Sequence, residues 1–223
     1  MFLMIADFLC SMEGIRVNGL LVYIVQVANY CCIGLPLRWW LRIRRLGWCG
    51  PKEMNRSYVL ASNHPSRFDP FVVTYSFKIG TALSVFPIRF VTAEKYLEKW
   101  LWKVLLIPLG SVSIRPRSGK KVTSILSTML DVGQTVYIVP GGGLEKQGHI
   151  VDPKVGVVYL ERRVQKAMII PVKVMWSGDL HWKSVLFRRI SVDVYFGNPF
   201  RHESFEKDLV PLARDVLKRI ESL

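Results

Sequence analysis

The chain has 223 residues, enough for one ordinary domain and an appendage. Half of its residues are apolar and 12% are aromatic, which excludes a disordered chain, and its 16 Gly and 12 Pro exclude a collagen-like or low-complexity one. Lys and Arg number 31 against 17 Asp and Glu, a net charge of +14 that leaves nucleic acid and anionic membranes or phosphate-bearing substrates as partner classes.

Residues 19–37 (GLLVYIVQVANYCCIGLPL) carry no charge. As a helix they reach roughly 28 Å, barely the thickness of a bilayer core. The run passes straight into RWWLRIRR. There Trp39, Trp40 and Trp48 are expected at the headgroup level, and Arg38, Arg42, Arg44 and Arg45 against lipid phosphates. Gln26, Asn29, Gly34 and Pro36 interrupt the run, so a full span, a half-inserted helix and the core helix of a soluble domain all remain open. Asp7 and Glu13 precede the first basic residue, Arg16, unlike a cleaved signal peptide. Arginines on the C-terminal side of the segment place the rest of the chain in the cytoplasm. The four cysteines, Cys10, Cys31, Cys32 and Cys49, form no C-x-x-C, so neither a disulfide framework nor a zinc site is expected, and a reducing compartment fits.

The expected division is therefore 1–50, a hydrophobic membrane-anchoring helical segment, and 51–223, the main folded domain. In the second part, strands are predicted at 58–62, 88–93, 111–115, 135–140, 167–175 and 191–197. Helical stretches are predicted from 69, over 94–108, 119–132 and 154–166, and at the C-terminus. There Phe205, Leu209, Leu212, Ala213, Val216, Ile220 and Leu223 form one stripe at spacings of three and four. This alternation predicts an α/β fold: a mixed, mostly parallel central sheet flanked by helices, with an N-terminal membrane-associated helical segment.

Four blocks carry chemistry. In NHPSRFDP (63–70), a turn through Pro65 can fold Asp69 back onto His64. The carboxylate would accept the Nδ1 proton and leave Nε2 to take another. Alone, the pair also fits an Asp helix cap beside an unrelated loop histidine. GSVSIRPR (110–117) ends a strand on Arg115, either a phosphate grip or a solvated edge charge. IVPGGGLEKQG (138–148) exposes backbone N–H groups to a ligand, or is a loose turn; it is no Walker loop. AMIIPV (167–172) reads only as a strand broken by Pro171.

In this order and spacing the blocks resemble the glycerolipid and lysophospholipid acyltransferase family, over roughly residues 55–200. That family carries Asn-His, four residues, Asp; then Gly-x-x-x-Ile-x-Arg; then Phe-Pro-Glu-Gly-Thr-Arg; then an apolar strand with a proline. NHPSRFD matches in full, GSVSIR matches at Gly110 and Ile114 with Arg115 one residue ahead of the family arginine position, and IIPV matches the fourth block. The third departs: Gly141, Gly143 and Leu144 stand at the family's Glu, Thr and Arg positions, while Gly142, Gly148, Lys154 and Gly156 fit.

The resemblance implies a membrane acyltransferase that moves a fatty acyl group from acyl-CoA or acyl-carrier protein to a hydroxyl of a lysophospholipid or glycerol-phosphate-type acceptor. His64 and Asp69 would be the catalytic pair. Asn63, Arg67, Gly110, Arg115, Pro140, Gly141, Gly142, Gly143 and Lys154 would bind substrate. No metal or cofactor is expected beyond the thioester co-substrate, and the partners are membrane lipids and the acyl donor. Replacement of the family Glu and Arg keeps two alternatives open: a non-glycerophosphate acceptor such as an amino-acid lipid, and a non-catalytic lipid-binding relative. Nucleic acid is not an expected partner, because no zinc spacing, RNA-binding strand motif or basic helix of the usual kinds is present. KWLWK (99–103) reads equally as a second membrane contact and as a core helix with snorkelling lysines.

Overall fold

A computed structural model describes residues 18–48, 50, 57–114, 119–143, 153–178, 190–203 and 208–223. The first element among the described residues is an apolar helix, Gly19–Trp40, made of α1 (Gly19–Asn29), a π-helical turn (Tyr30–Gly34) and α2 (Leu35–Trp40). Then come β1 (Ile43–Gly47), β2 (Ser57–Ser62), α3 (Asp69–Ser76), α4 (Ile79–Val85) and β3 (Ile88–Ala93). The short helices α5 (Glu94–Leu97) and α6 (Trp100–Leu106) lead to β4 (Ser111–Ile114), α7 (Gly119–Asp131) and β5 (Thr135–Ile138). Last are α8 (Gly156–Arg163), β6 (Ala167–Ser177), β7 (Ser191–Phe196) and α9 (Val210–Glu221).

The seven strands form one sheet in the order β1-β7-β6-β2-β5-β3-β4. β2 to β6 all run in one direction, and β7 with its parallel neighbour β1 runs against them. All six residues of β2 (SYVLAS) are buried, as a central strand covered on both faces requires. Alternate residues of β2 enter opposite layers. Tyr58 and Leu60 join the core beneath α1, α3 and α4, while Val59 and Ala61 join the core beneath α7, α8 and α9. The predicted stripe of the closing helix faces that second core through Leu212, Ala213, Val216 and Ile220. Phe205 lies outside the described residues.

The mixed, mostly parallel sheet agrees with the expected fold, and three local expectations change. Ile43–Gly47, placed within a helical appendage, is an edge strand paired with β7, and Arg44 makes a two-pronged contact with Asp193 at 2.6 Å. Arg42 turns the chain from helix into that strand with φ of 47°. Trp48, expected at the headgroups, is buried against Tyr58 with ring centroids 5.5 Å apart. α6, by contrast, buries none of its residues, so its core reading falls: Trp100 is 66% and Leu101 58% exposed.

The N-terminal helix is tied to the domain by the polar residues that interrupt it. Gln26 is 3% exposed; its Nε2 donates to Ile88 O (2.6 Å) and Leu109 O (2.9 Å), and its Oε1 accepts from Ile88 N at 2.9 Å. Tyr75 donates to Asn29 at 2.7 Å, and Tyr30 and Arg38 both donate to Phe77 O, at 2.6 and 2.8 Å. The other side stays apolar and open at Leu20, Ile24, Ile33 and Trp39. Gln26→Leu keeps the bulk but leaves the Ile88 amide and carbonyl without these partners in a buried place. The expected cost is about 1–3 kcal/mol, read as a lower thermal midpoint. An unchanged midpoint would show that Gln26 does not carry the docking.

A second buried polar cluster joins α8, the segment after β7, and α9. His202 Nδ1 lies 2.8 Å from Glu161 Oε2, its backbone N–H donates to Glu161 Oε1 at 2.5 Å, and its Nε2 is 3.3 Å from Asp215 Oδ2. Arg219 faces the cluster by bonding Asp215 at 2.7 Å, and the Phe200 ring meets the imidazole edge-on. The Glu161 hydrogen bond raises the His202 pKa above its ordinary 6.5, burial opposes the shift, and the Glu161 and Asp215 charges add to it. A raised folded value means that the charged ring stabilises the fold. That contribution is complete below about pH 6.5 and disappears as pH rises through the folded value. Melting curves between about pH 5.5 and 9 are expected to show this fall in wild type and a flatter profile in His202→Gln. Parallel profiles would contradict it.

Candidate active site

The connections around the sheet diverge at the ends of two adjacent strands. The chain leaves the C-terminal end of β2 towards α3, on one face, and leaves the C-terminal end of adjacent β5 towards α8, on the other. Such a divergence is where open α/β sheets bind ligands. Ala61 pairs with Ile138, so His64 and Gly141 each lie three residues beyond the same rung.

His64 follows β2 directly, and its side chain is 18% exposed. The loop turns through Pro65 and Ser66, with Asp69 N donating to Ser66 O at 3.1 Å. Asp69 opens α3 and is fully buried. Its Oδ2 lies 3.0 Å from His64 Nδ1 and accepts Ser66 N–H at 2.7 Å. Its Oδ1 accepts the indole N–H of Trp176, from the end of β6, at 2.7 Å. A buried carboxylate needs such donors to remain charged. Bonded to Nδ1, it selects the tautomer whose Nε2 can accept a proton, and it can balance the imidazolium that results.

Asn63 extends the ladder between β2 and β6. Its N–H donates to Val172 O (3.3 Å), while its amide donates to Val174 O (3.1 Å) and accepts from Val174 N (2.7 Å). Its side chain is thus held by the backbone of β6. Arg67 is exposed and stands 5.8 Å over the Tyr96 ring, with Lys95 Nζ 5.2 Å from the same ring. Pro140, Gly141, Gly142 and Gly143 form the turn beyond β5, with Gly142 at φ +73°. Lys154 N donates to Pro140 O at 2.9 Å, and the lysine side chain occupies the space that a Cβ on Gly142 would take. Arg115 lies outside the described residues.

Gly110 requires a correction. It precedes the edge strand β4, at the opposite end of the parallel strands from His64 and with β5 and β3 between β4 and β2. Its φ is +93°, and a Cβ there would stand 2.5 Å from Ile88 O and 2.9 Å from Gln26 Nε2. The glycine lets the N-terminal helix approach the sheet and stands away from His64. Trp176 is the site residue that sequence reasoning missed, because its partner lies 107 residues away and no local pattern marks it.

The acyltransferase family profile matches residues 47–175, more than half of the chain. The chain belongs to the acyltransferase family. No curated protein matches this acyltransferase. Among solved structures it is similar to PlsC, the 1-acyl-sn-glycerophosphate (LPA) acyltransferase of Thermotoga maritima. The TM-score is 0.60 at 15% identity, over 98% of this chain and 86% of that one. That likeness is one of fold. The α/β architecture and the acyltransferase class agree with the sequence-based expectation.

Proposed function

We propose that this acyltransferase moves a fatty acyl group from acyl-CoA or acyl-carrier protein to a hydroxyl of a lysophospholipid or glycerol-phosphate-type acceptor. The observation that carries the reading is the 3.0 Å contact of His64 Nδ1 with buried Asp69, beyond the C-terminal end of β2. His64 Nε2 takes the acceptor hydroxyl proton as the oxygen attacks the thioester carbonyl. The new C–O bond replaces the C–S bond, and the departing thiolate regains a proton from the imidazolium. General-base assistance of this kind is worth about 10²–10⁴ in rate. In this reading the Pro140–Gly143 turn, Lys154 and Arg115 bind the acceptor's phosphate. The activity in the printed name of PlsC supports a glycerophosphate-type acceptor.

Bringing a long acyl chain through water costs about 0.8 kcal/mol per CH₂, so the site is expected to abut a bilayer. Two surfaces support this: the open apolar side of Gly19–Trp40 and the exposed Trp100, Leu101, Trp102 and Leu105 of α6. In our reading the N-terminal helix lies in one leaflet, because its Gln26, Asn29, Tyr30 and Arg38 are bonded to the domain. The domain then sits on the cytoplasmic face.

A second acceptor class is favoured by one feature. Gly141 offers no carboxylate where the family has Glu, which fits a lipid without glycerol phosphate, such as an amino-acid lipid. An acceptor screen decides between them. Purified protein in vesicles receives labelled acyl-CoA or acyl-carrier protein and a panel of lysolipids. Acylation of the glycerophosphate acceptors is expected. Acylation of amino-acid lysolipids alone would move the reading to the second class, and no transfer to any acceptor would favour a non-catalytic lipid-binding protein.

A further inference from the structure

We propose that Trp176 is a positioning residue for the His64–Asp69 pair, an inference that rests on the His–Asp reading above. An isolated carboxylate can turn about its Cβ–Cγ bond and offer either oxygen to the imidazole. Here the two oxygens have separate tasks. Oδ2 accepts from Ser66 N–H and faces His64 Nδ1, and Oδ1 is taken by the Trp176 indole at 2.7 Å. Indole N–H donates only and does not titrate in the working range of an imidazole. It therefore holds the carboxylate without competing for its proton.

The indole is itself held in register. Trp176 stands opposite Val192 of β7. Two residues earlier, Val174 is clasped through both its N–H and its C=O by the side-chain amide of Asn63, the residue before His64. Residues two apart on a strand share a face. The backbone that presents His64 therefore also fixes the strand that presents the indole to Asp69. Asn63 acts in this arrangement through Val174, and Trp176 acts through Asp69; neither needs to touch the lipid.

During transfer the acceptor proton moves to His64 Nε2, the C–O bond forms, the C–S bond breaks, and the proton passes on to the thiolate. The ring gains positive charge within that sequence. Trp176 keeps Oδ2 aligned with Nδ1 while it does. Loss of the indole N–H leaves buried Oδ1 without that donor and frees the carboxylate to rotate. The consequence falls on turnover and not on substrate binding.

The test replaces the indole N–H by sulfur, placing 3-benzothienylalanine at position 176 of the full-length protein in vesicles, with Trp176→Phe and His64→Ala alongside. The sulfur analogue keeps the ring shape and therefore the packing, even should Trp176→Phe fold poorly. Expected is a fall in kcat of about 10- to 100-fold for the analogue, with both KM values within about threefold of wild type. Wild-type kcat in the analogue beside an inactive His64→Ala protein overturns the role of Trp176 alone. A loss confined to KM overturns it too. Wild-type turnover in His64→Ala overturns the His–Asp reading on which the inference rests.

Discussion

Asp69→Asn is expected to lower kcat by about 10³–10⁴ while leaving the substrate KM values near those of wild type. The substitution keeps the size and planarity of the side chain. Its Oδ1 can still accept the Trp176 indole, an arrangement that turns its NH2 towards His64 Nδ1 and leaves the Ser66 N–H without its acceptor. What disappears is the negative charge 3.0 Å from His64 Nδ1. Without it the imidazolium formed in the transition state is not balanced, and an amide N–H facing Nδ1 favours the tautomer with its proton on Nε2. That tautomer cannot take a proton from the acceptor. Thiol release from an acyl-CoA, followed with acceptor present, measures the loss. A fall of less than about tenfold would mean that Asp69 is only a buried helix-start residue.

Gly110→Ala is expected to destabilise the protein by about 2–5 kcal/mol, through left-handed backbone strain and overpacking together. The φ of +93° disfavours any side chain, and the nearest atom to the added Cβ, Ile88 O at 2.5 Å, is backbone that cannot swing aside. The next, Gln26 Nε2, is the donor that docks the N-terminal helix. The effect is read in thermal or denaturant unfolding. Because Gly110 lies at the edge of the sheet away from His64, the protein that remains folded is expected to keep its KM for acceptor. A raised acceptor KM with unchanged stability would return Gly110 to the substrate site.

The contrast between Asp69 and Gly110 shows which features the sequence made legible. His64 and Asp69 are five residues apart in one loop, so short-range geometry alone brings them together. The strand Ser191–Phe196 and the stripe of Val210–Glu221 declare themselves through local periodicity, and Ser57–Ser62 through a short run of strand-forming residues. Ile43–Gly47 does not. IRRLG lacks an alternating apolar pattern and becomes a strand through pairing with residues about 149 positions later. Ile79–Val85 went unpredicted too: IGTALSV is short, with glycine and threonine in its first turn and a β-branched last residue. Gln26 was visible as an oddity in an apolar run, but its partners at Ile88 and Leu109 exist only in the folded chain. Gly110 was found through its motif and assigned to the wrong neighbour for the same reason. Trp176 and the Glu161–His202 pair, 107 and 41 residues apart from their partners, belong to this long-range class.

The account stands on one imidazole drawing a proton from a lipid alcohol at a membrane face. Thiol release from a thioester donor, followed in vesicles with and without lysophospholipid for wild type and His64→Ala, tests it most directly. Release is predicted for wild type with acceptor present, and for neither protein without it; the His64→Ala protein is predicted to be inactive throughout. Equal release by the two proteins in the presence of acceptor would contradict the account.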